Sequence, residues 1–399
     1  MVWCQMKGKL YFVHGYYSSQ NQNVGIIENR EIVRDRIILM RNDINNIYNV
    51  HIEDVSIFNQ EYLPVMGDYV IYDGNRIEPA NSNPTAQMYN MLGEALRYTI
   101  RNSDLYIAAY ERRQTIEEVE DVRSFHVNVG HGNCSIIIFK EKGKYEAWIV
   151  DCSVKDMFNS FNYRNNLIKC LNDLKNKYNI TKISKLLITH PHYDHINGIH
   201  HLLNCGIVDS ETEVWFNTNL PWNSKTYINL VSRLRGIRVQ FVDPIISNST
   251  QNLRIIYPNK SYHSLNNVPA KNVNNASVIY QICFNDISMM FTGDIETEGW
   301  DIVNCLPGLN KTTYYCISHH GSINGHIRNK CNYIYPQSIH TMANCGQSTA
   351  KQILMGRDGA YLGIFSNNVL SDFARTIERT DQVTSYIELN WMNGKVSKA

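Results

Sequence analysis

Long apolar runs, paired cysteines and an excess of one charge are all missing from this chain of 399 residues. No stretch approaches the roughly 18 apolar residues that a membrane helix needs, so we expect no membrane span. The ten cysteines include no C-x-x-C pair, and the first residues lack the apolar segment of a secretion signal. Together these features predict reduced thiols and a cytoplasmic protein. The net charge of +1 gives the whole chain no electrostatic preference for a particular partner.

The chain divides near residue 120. Residues 1–120 alternate apolar and polar side chains between turn signals, which predicts a smaller β-rich N-terminal domain. One helix is expected within residues 82–104 and a second over residues 105–121. His14 and His51 stand alone in this part, and we predict structural roles for both. Residues 121–399 alternate strand-like and helix-like segments, which predicts an α/β domain.

Acidic and imidazole side chains follow four apolar stretches of the second part. They are Asp151 after "WIV", the segment "THPHYDH" after "KLLI", Asp294 after "MMFTG", and the pair His319 and His320 after "YYCIS". Functional sites of open α/β sheets form at the carboxyl ends of the strands. The coincidence of four such strand ends therefore predicts one common site.

The segment "THPHYDH" has the composition of a metal site. His190 and His192 are two positions apart and can project the same way from an extended chain. Asp194 and His195 follow on the turn into the next helix. Imidazole nitrogens and carboxylate oxygens suit Zn²⁺, Mn²⁺ or Fe²⁺. The two histidines can hold one ion and the aspartate–histidine pair a second, with Asp294 as a bridge. Two ions roughly 3.5–4 Å apart lower the pKa of a hydroxide held between them.

The order of these motifs resembles the metallo-β-lactamase fold superfamily, and within it the ComEC-like nuclease domains of competence proteins. Residues 122–370 carry "VNVGHGNCSIII", "WIVDCS", "THPHYDHINGIHHLL", "NNASVIY", "MMFTGD" and "ISHHGS" in that order. The resemblance implies an αββα sandwich over residues 121–399 and two divalent metal ions, Zn²⁺ or else Mn²⁺. The ligands that it implies are His190, His192, Asp194, His195, Asp294 and His319.

Several further residues have more than one reading. His263 is a candidate seventh ligand, because many members of the superfamily have another histidine before the bridging aspartate. Asp151 either orients a ligand histidine or caps its strand. His320 can protonate a leaving group, contact the substrate or replace His319 as the ligand. Asn275, with its neighbour Asn274, either closes the site or makes a turn, and Ser322 is a further candidate for contact with the substrate.

The first glycine loop departs from the pattern of the ComEC-like branch. It reads Gly130, His131, Gly132 and Asn133, where the branch has an acid in the last position. We expect this change to alter local hydrogen bonding and to leave the metal ligands intact.

The resemblance implies hydrolysis by a metal-bound hydroxide, with Asp194 and His320 as the catalytic residues. A phosphodiesterase or nuclease acting on nucleic acid or nucleotides is the expected activity. The alternatives are a thioesterase or lactamase of the same fold, and a regulated effector whose N-terminal domain binds a protein partner. The sequence does not indicate an oligomeric state.

Overall fold

The computed structural model describes residues 8–17, 36–41, 50–54, 64–107, 118–159, 161–245, 250, 252–258, 272–285, 287–304, 312–326, 351–361, 363–373 and 377–399. Three β-sheets account for the strands in these ranges. No helix in the same ranges is both long and apolar enough to cross a membrane.

The N-terminal part forms an antiparallel sheet of its own. Its strands are β1 (Lys9–Tyr17), β2 (Arg36–Arg41), β3 (Val50–Asp54), β4 (Tyr69–Tyr72) and β5 (Ile77–Pro79), in the order β3-β2-β1-β4-β5. Helix α1 (Pro84–Arg101) follows this sheet. The Asn83 side chain caps the helix by accepting from the amides of Thr85 and Ala86, as N-cap asparagines do. The predicted strands and the first predicted helix are therefore present.

Two further sheets contain the remaining strands. These are β6 (Tyr106–Ile107), β7 (Asp121–Val127), β8 (Cys134–Glu141), β9 (Lys144–Cys152), β10 (Lys185–Leu187), β11 (Glu213–Trp215), β12 (Gln240–Val242), β13 (Leu253–Tyr257), β14 (Ile279–Phe284), β15 (Ile287–Phe291), β16 (Tyr314–Cys316), β17 (Lys351–Leu354), β18 (Ile377–Arg379), β19 (Tyr386–Asn390) and β20 (Val396–Lys398). The nine-stranded sheet has the order β20-β19-β7-β8-β9-β10-β11-β12-β6, and the six-stranded sheet runs from β13 to β18 in sequence order. Strands β9 and β10 are parallel, as are β15 and β16, so each pair ends at one edge of its sheet.

The two large sheets pack face to face around one hydrophobic layer. Phe139 and Trp148 point into this layer from the nine-stranded sheet, and Phe284 meets them from the six-stranded sheet. The ring centroids of Phe139 and Phe284 are 4.6 Å apart. Burial of this apolar surface provides the main driving force for pairing the sheets.

Helices cover the outer faces of both sheets. They are α2 (Arg164–Tyr178), α3 (Tyr193–Ile196), α4 (Ile199–Asn204), α5 (Lys225–Gly236), α6 (Thr297–Asn304) and α7 (Asn367–Asp372). Leu167 of α2 and Leu234 of α5 belong to the core layer against the nine-stranded sheet. Trp300 of α6 and Val369 of α7 belong to the layer against the six-stranded sheet. The predicted αββα sandwich is thus confirmed.

The N-terminal sheet packs directly on the sandwich. Phe12 on β1 lies edge-on to Trp222, with ring centroids 4.8 Å apart. The Tyr69 hydroxyl on β4 donates to the Asn223 carbonyl at 2.9 Å. Trp222 and Asn223 lie in the segment that connects the carboxyl end of β11 to α5. The N-terminal sheet is therefore held beside the carboxyl ends of the parallel strands.

The prediction of a second helix, over residues 105–121, is wrong at its first residues. Tyr106 and Ile107 form β6, which pairs in parallel with β12 at the edge of the nine-stranded sheet. An edge strand offers unpaired backbone groups, and pairing with them overrides the weak helical preference of these residues. Residues 108–117 lie outside the described residues. The domain boundary near residue 120 stays a prediction.

Candidate metal centre

Four of the predicted ligands stand on the loop between β10 and α4. His192 occupies the N-cap position of α3, and Asp194 lies in the first turn of that helix. The helix N-terminus favours a carboxylate at this place. The His195 amide donates to the His192 carbonyl at 3.1 Å, which closes the turn. All four side chains, including that of His190, are buried.

The structure brings these side chains together with residues from other strand ends. Three overlapping groups place one ligand atom of every member within 4.8 Å of the others. They are His190, His192 and Asp294; Asp194, His195, Asp294 and His320; and His14, His192 and Asp194. Asp294 belongs to two groups, as the bridging role predicted from the sequence requires.

The distances around Asp294 suit a shared carboxylate. Its Oδ2 is 3.7 Å from His190 Nε2 and 3.5 Å from His320 Nε2. Its Oδ1 is 3.2 Å from His195 Nε2. Tetrahedral zinc with bonds of roughly 2.0–2.2 Å separates its ligand atoms by about 3.3–3.5 Å. Oδ2 of Asp294 therefore faces His190 and His320, and Oδ1 faces His195, at about the separation that the ligands of one metal ion have.

The chemistry of the donor set fits divalent cations. Several buried ligand atoms have no hydrogen-bond partner among the described residues. They are Nε2 of His190, His192 and His195 and Oδ1 of Asp194 and Asp294. A buried polar atom without a partner costs about 1–3 kcal/mol, and here such atoms face one another. Coordination of metal ions is the arrangement that satisfies all of them at once.

The protonation states of four of these residues agree with this interpretation. Burial holds the pKa of His190 and of His192 well below the usual value, so both imidazoles are neutral. Burial alone raises the pKa of Asp194 and of Asp294, but neighbouring histidines outweigh it and hold both well below their usual range. Neutral imidazole and ionised carboxylate are the forms that bind metals.

Two histidines of the site differ from this. Burial lowers the pKa of His195 and of His320, but Asp294 and the other nearby carboxylates outweigh it and raise the pKa of His195 well above its usual value and that of His320 to about 9. A metal ion bound by these two imidazoles would displace a proton from each.

Asp151 orients one of the ligand histidines. Its Oδ2 accepts from His195 Nδ1 at 2.8 Å, and its two oxygens also accept from the backbone amide and the hydroxyl of Thr189. The contact directs Nε2 of His195 towards Asp294. This is the first of the two readings that the sequence left open for Asp151.

Asp151→Asn is expected to weaken metal binding by about 10–100-fold, the cost of losing such an orienting partner. The amide retains the size of the side chain but removes the anion beside His195. Chelator competition on the purified protein measures the affinity. Asp243→Asn is the matched control, because Asp243 is also buried and follows β12, a strand of the same sheet. Equal losses in the two variants would assign the effect to general destabilisation.

Of the adjacent residues His319 and His320, only His320 belongs to a ligand group, which corresponds to one of the readings that the sequence left open for it. His320 joins Asp194, His195 and Asp294 in one group, and its Nε2 is 3.1 Å from Asp194 Oδ2. Its Nδ1 lies 3.1 Å from the Met355 carbonyl, which leaves Nε2 to face the carboxylates. His319 Nδ1 instead lies 3.7 Å from Glu296 Oε1. Both residues have positive φ angles, near 49° and 48°, and this turn sends the two imidazoles in different directions.

Two other predicted residues, Asn275 and Ser322, belong to none of the groups. The Asn275 side-chain oxygen accepts from the amides of Glu296 and Gly299 at the start of α6, so Asn275 supports the fold. Ser322 is buried, and its amide donates to the His319 carbonyl. His263 lies outside the described residues, and its role as a ligand stays a prediction.

Two residues of the site were missed by the sequence analysis. His131, in the glycine loop, places Nε2 3.3 Å from Asp194 Oδ2, and its position between two glycines was the available signal. Gly132 beside it has φ of +151°, and a Cβ atom there would lie 2.7 Å from the Asp194 carbonyl oxygen. His14, on β1, carried no signal in the sequence because its partners are far away along the chain.

A small cavity of about 30 Å³ opens onto this centre. Both parts of the chain line it: His14, Gly15, Tyr16 and Ile38 from the N-terminal sheet, and His131, Met157, Phe158, His192, Asp194, Asn274, Asp294, His319, His320 and Tyr361 from the sandwich.

No protein-family model matches this sequence, and no curated protein sequence matches it. Similar solved structures include the metallo-beta-lactamase fold protein YhfI from Bacillus subtilis, at 9% identity over 68% of this chain and 100% of that one, with a TM-score of 0.36. Others are a diphosphatase from the PhnP family (10% identity, 70% and 99% covered, TM-score 0.33) and unliganded yeast PDE1 (12% identity, 64% and 93% covered, TM-score 0.31). Likeness at this level carries no information about what this chain cleaves.

Proposed function

We propose that this protein is a binuclear metal-dependent hydrolase that cleaves phosphodiester bonds in nucleic acid or nucleotides. The observation that carries the proposal is Asp294, whose carboxylate belongs to two groups of buried ligands, one with His190 and His192 and the other with Asp194, His195 and His320. Two bound divalent ions would stabilise charge on both the attacking and the leaving oxygen of a phosphoryl group. Zinc is the proposed metal and manganese the alternative, because both accept imidazole and carboxylate.

The described residues divide between the two ions unequally. His190 and His192 hold one ion with Asp294, whereas Asp194, His195 and His320 hold the other with the same carboxylate. Catalytic metal sites keep a position open for a reactant, while structural sites are closed. The first group, with three described members, is the more open of the two.

His319 is the proposed general acid. It lines the cavity, and its buried Nδ1 has no hydrogen-bond partner among the described residues. Glu296 lies 3.7 Å from this nitrogen and is itself held by the Asn274 amide at 2.8 Å. A histidine beside a fixed carboxylate can donate a proton to a departing oxygen. We assign this role to His319 instead of His320, because His320 belongs to a ligand group and His319 does not.

Cationic side chains line a second cavity, which shares His14 with the first. They are Arg41 from the N-terminal sheet and Lys225 from α5. Lysine and arginine in such a place suit a phosphate that flanks the scissile one. The motif resemblance to ComEC-like nuclease domains supports the same substrate class.

The decisive test combines metal analysis with a panel of substrates. The purified chain is expected to contain two transition-metal ions and to cleave at least one of single-stranded DNA, double-stranded DNA, RNA or a cyclic dinucleotide. Chelation should abolish the cleavage, and Zn²⁺ or Mn²⁺ should restore it. Turnover of a thioester or a lactam without cleavage of any diester would overturn the substrate class.

A further inference from the structure

We propose that His14, on strand β1 of the N-terminal sheet, is a metal ligand, so that this sheet supplies one imidazole to the metal centre. The inference rests on the metal centre of the proposed function and adds to it a ligand from outside the sandwich. The ligand chemistry is that of a divalent cation of the zinc type, which binds neutral imidazole.

The position of His14 is that of a ligand. It is 4% exposed, and its ring centroid lies 4.2 Å from that of His192. Its Nε2 is 3.7 Å from Asp194 Oδ1. His14, His192 and Asp194 together form one of the three groups that can hold an ion.

The distance between His14 and Asp194 is too long for a direct hydrogen bond, which needs about 2.7–3.2 Å. It equals the 3.7 Å between His190 and Asp294, a pair of predicted ligands. Asp194 Oδ1, the oxygen that faces His14, has no hydrogen-bond partner among the described residues. A cation between the two side chains would satisfy this oxygen and use the imidazole as well.

The backbone of β1 is shaped around His14. Strands β1 and β2 pair Val13 with Leu39 and Gly15 with Ile38, so the register shifts at His14. The histidine is therefore the extra residue of a β-bulge. Such bulges re-aim a side chain and recur beside active sites. Regular pairing would place His14 opposite a residue of β2 and would not turn it in this way.

Packing around the bulge holds the imidazole in place. Phe12 lies against Trp222, and the Trp222 ring centroid is 5.0 Å from that of His192 and 6.3 Å from that of His14. The same tryptophan thus supports the histidine from the N-terminal sheet and the histidine from the sandwich. A ligand needs this kind of fixed orientation to bind an ion tightly.

His14 forms its own group with His192 and Asp194 and is grouped with neither His190 nor Asp294. We therefore assign it to an ion that it shares with His192 and Asp194. The N-terminal sheet is then part of the metal centre, and its loss would open the coordination of that ion.

The test measures metal binding by the full chain without reference to activity. His14→Phe keeps a ring of similar size against Trp222 and removes both nitrogens. Its affinity for one of the two ions is expected to fall by more than the roughly 10–100-fold cost of losing an outer-shell partner. Chelator competition and elemental analysis give the affinities and the stoichiometry. Cobalt(II) substitution should show a changed visible spectrum, because the spectrum depends on the ligands.

The control variant is His200→Phe on α4. His200 belongs to none of the three groups, and its ring contacts Arg233. It is expected to bind both ions as the unmodified chain does. If His14→Phe does not fold, as judged by circular dichroism, His14→Gln replaces it in the same measurements.

Equal affinities and spectra in His14→Phe and the unmodified chain would overturn the inference. So would a loss of affinity without any change in the cobalt spectrum, since that result describes a positioning residue. If the unmodified chain binds no transition metal, the proposed function fails before the variant is examined. The two failures are therefore distinguishable.

Discussion

Asp294→Ala is expected to release both metal ions, taking the chain from two ions to none and abolishing hydrolysis. Asp294 contributes an oxygen to each of two ligand groups, so one substitution removes a ligand from both sites. The loss of several kcal/mol of stabilisation by the metals corresponds to at least about 10²–10³-fold in rate. Elemental analysis after gel filtration gives the metal content, and the rate on the best substrate of the panel gives the second measurement.

Two controls accompany this variant. Asp301→Ala changes an exposed carboxylate on the nearby helix α6 and should leave both ions in place. Asp194→Ala should remove the ion that Asp194 holds with His195 and His320 and should also weaken the site formed with His14 and His192, because Asp194 belongs to both groups. An Asp294→Ala protein that keeps two ions would show that the carboxylate does not bridge them.

His319→Ala is expected to slow the cleavage of a natural diester by about 10²–10⁴-fold, which is the usual contribution of a general acid. An activated aryl phosphodiester should lose much less, because its leaving group departs without a proton. The metal content should not change, since His319 belongs to none of the three ligand groups. Steady-state rates on both substrates, measured at equal metal loading, make the comparison.

The neighbouring histidine serves as the contrast. His320→Ala should lower metal content and slow both substrates, because His320 lies 3.1 Å from Asp194 and 3.5 Å from Asp294. Equal losses on the two substrates in His319→Ala would remove that residue from the acid role. A drop in metal content in the same variant would return it to the ligand role that the sequence motif suggested.

The metal loop could be predicted because its information is local. The spacing of His190, His192, Asp194 and His195 fixes their relation within a few residues of chain. Asp151 and Asp294 could be added because each follows a run of apolar residues. Such runs predict strands buried on both faces, and the strand ends of such sheets converge.

The parts that the sequence missed or left open depend on contacts between distant segments or on the path of the backbone. His319 and His320 are adjacent and chemically identical, and the left-handed turn that they form places His320 beside Asp194 and His319 beside Glu296. Asn274 and Asn275 are also adjacent and identical, but the first lines the cavity and the second supports α6. Neither distinction leaves a pattern in the order of residues.

The sequence by itself determined the α/β class, the metal loop and the strand ends that meet it, because periodicity and spacing act over short stretches of chain. The αββα sandwich followed only from the resemblance of the motifs to the metallo-β-lactamase fold superfamily. The tertiary structure alone decided that His14 and His131 belong to the same centre. Their approach to Asp194 depends on how the N-terminal sheet packs against Trp222 and on how the glycine loop lies beside α3. Packing of this kind is a property of the whole fold, and an isolated histidine in the sequence carries no record of it.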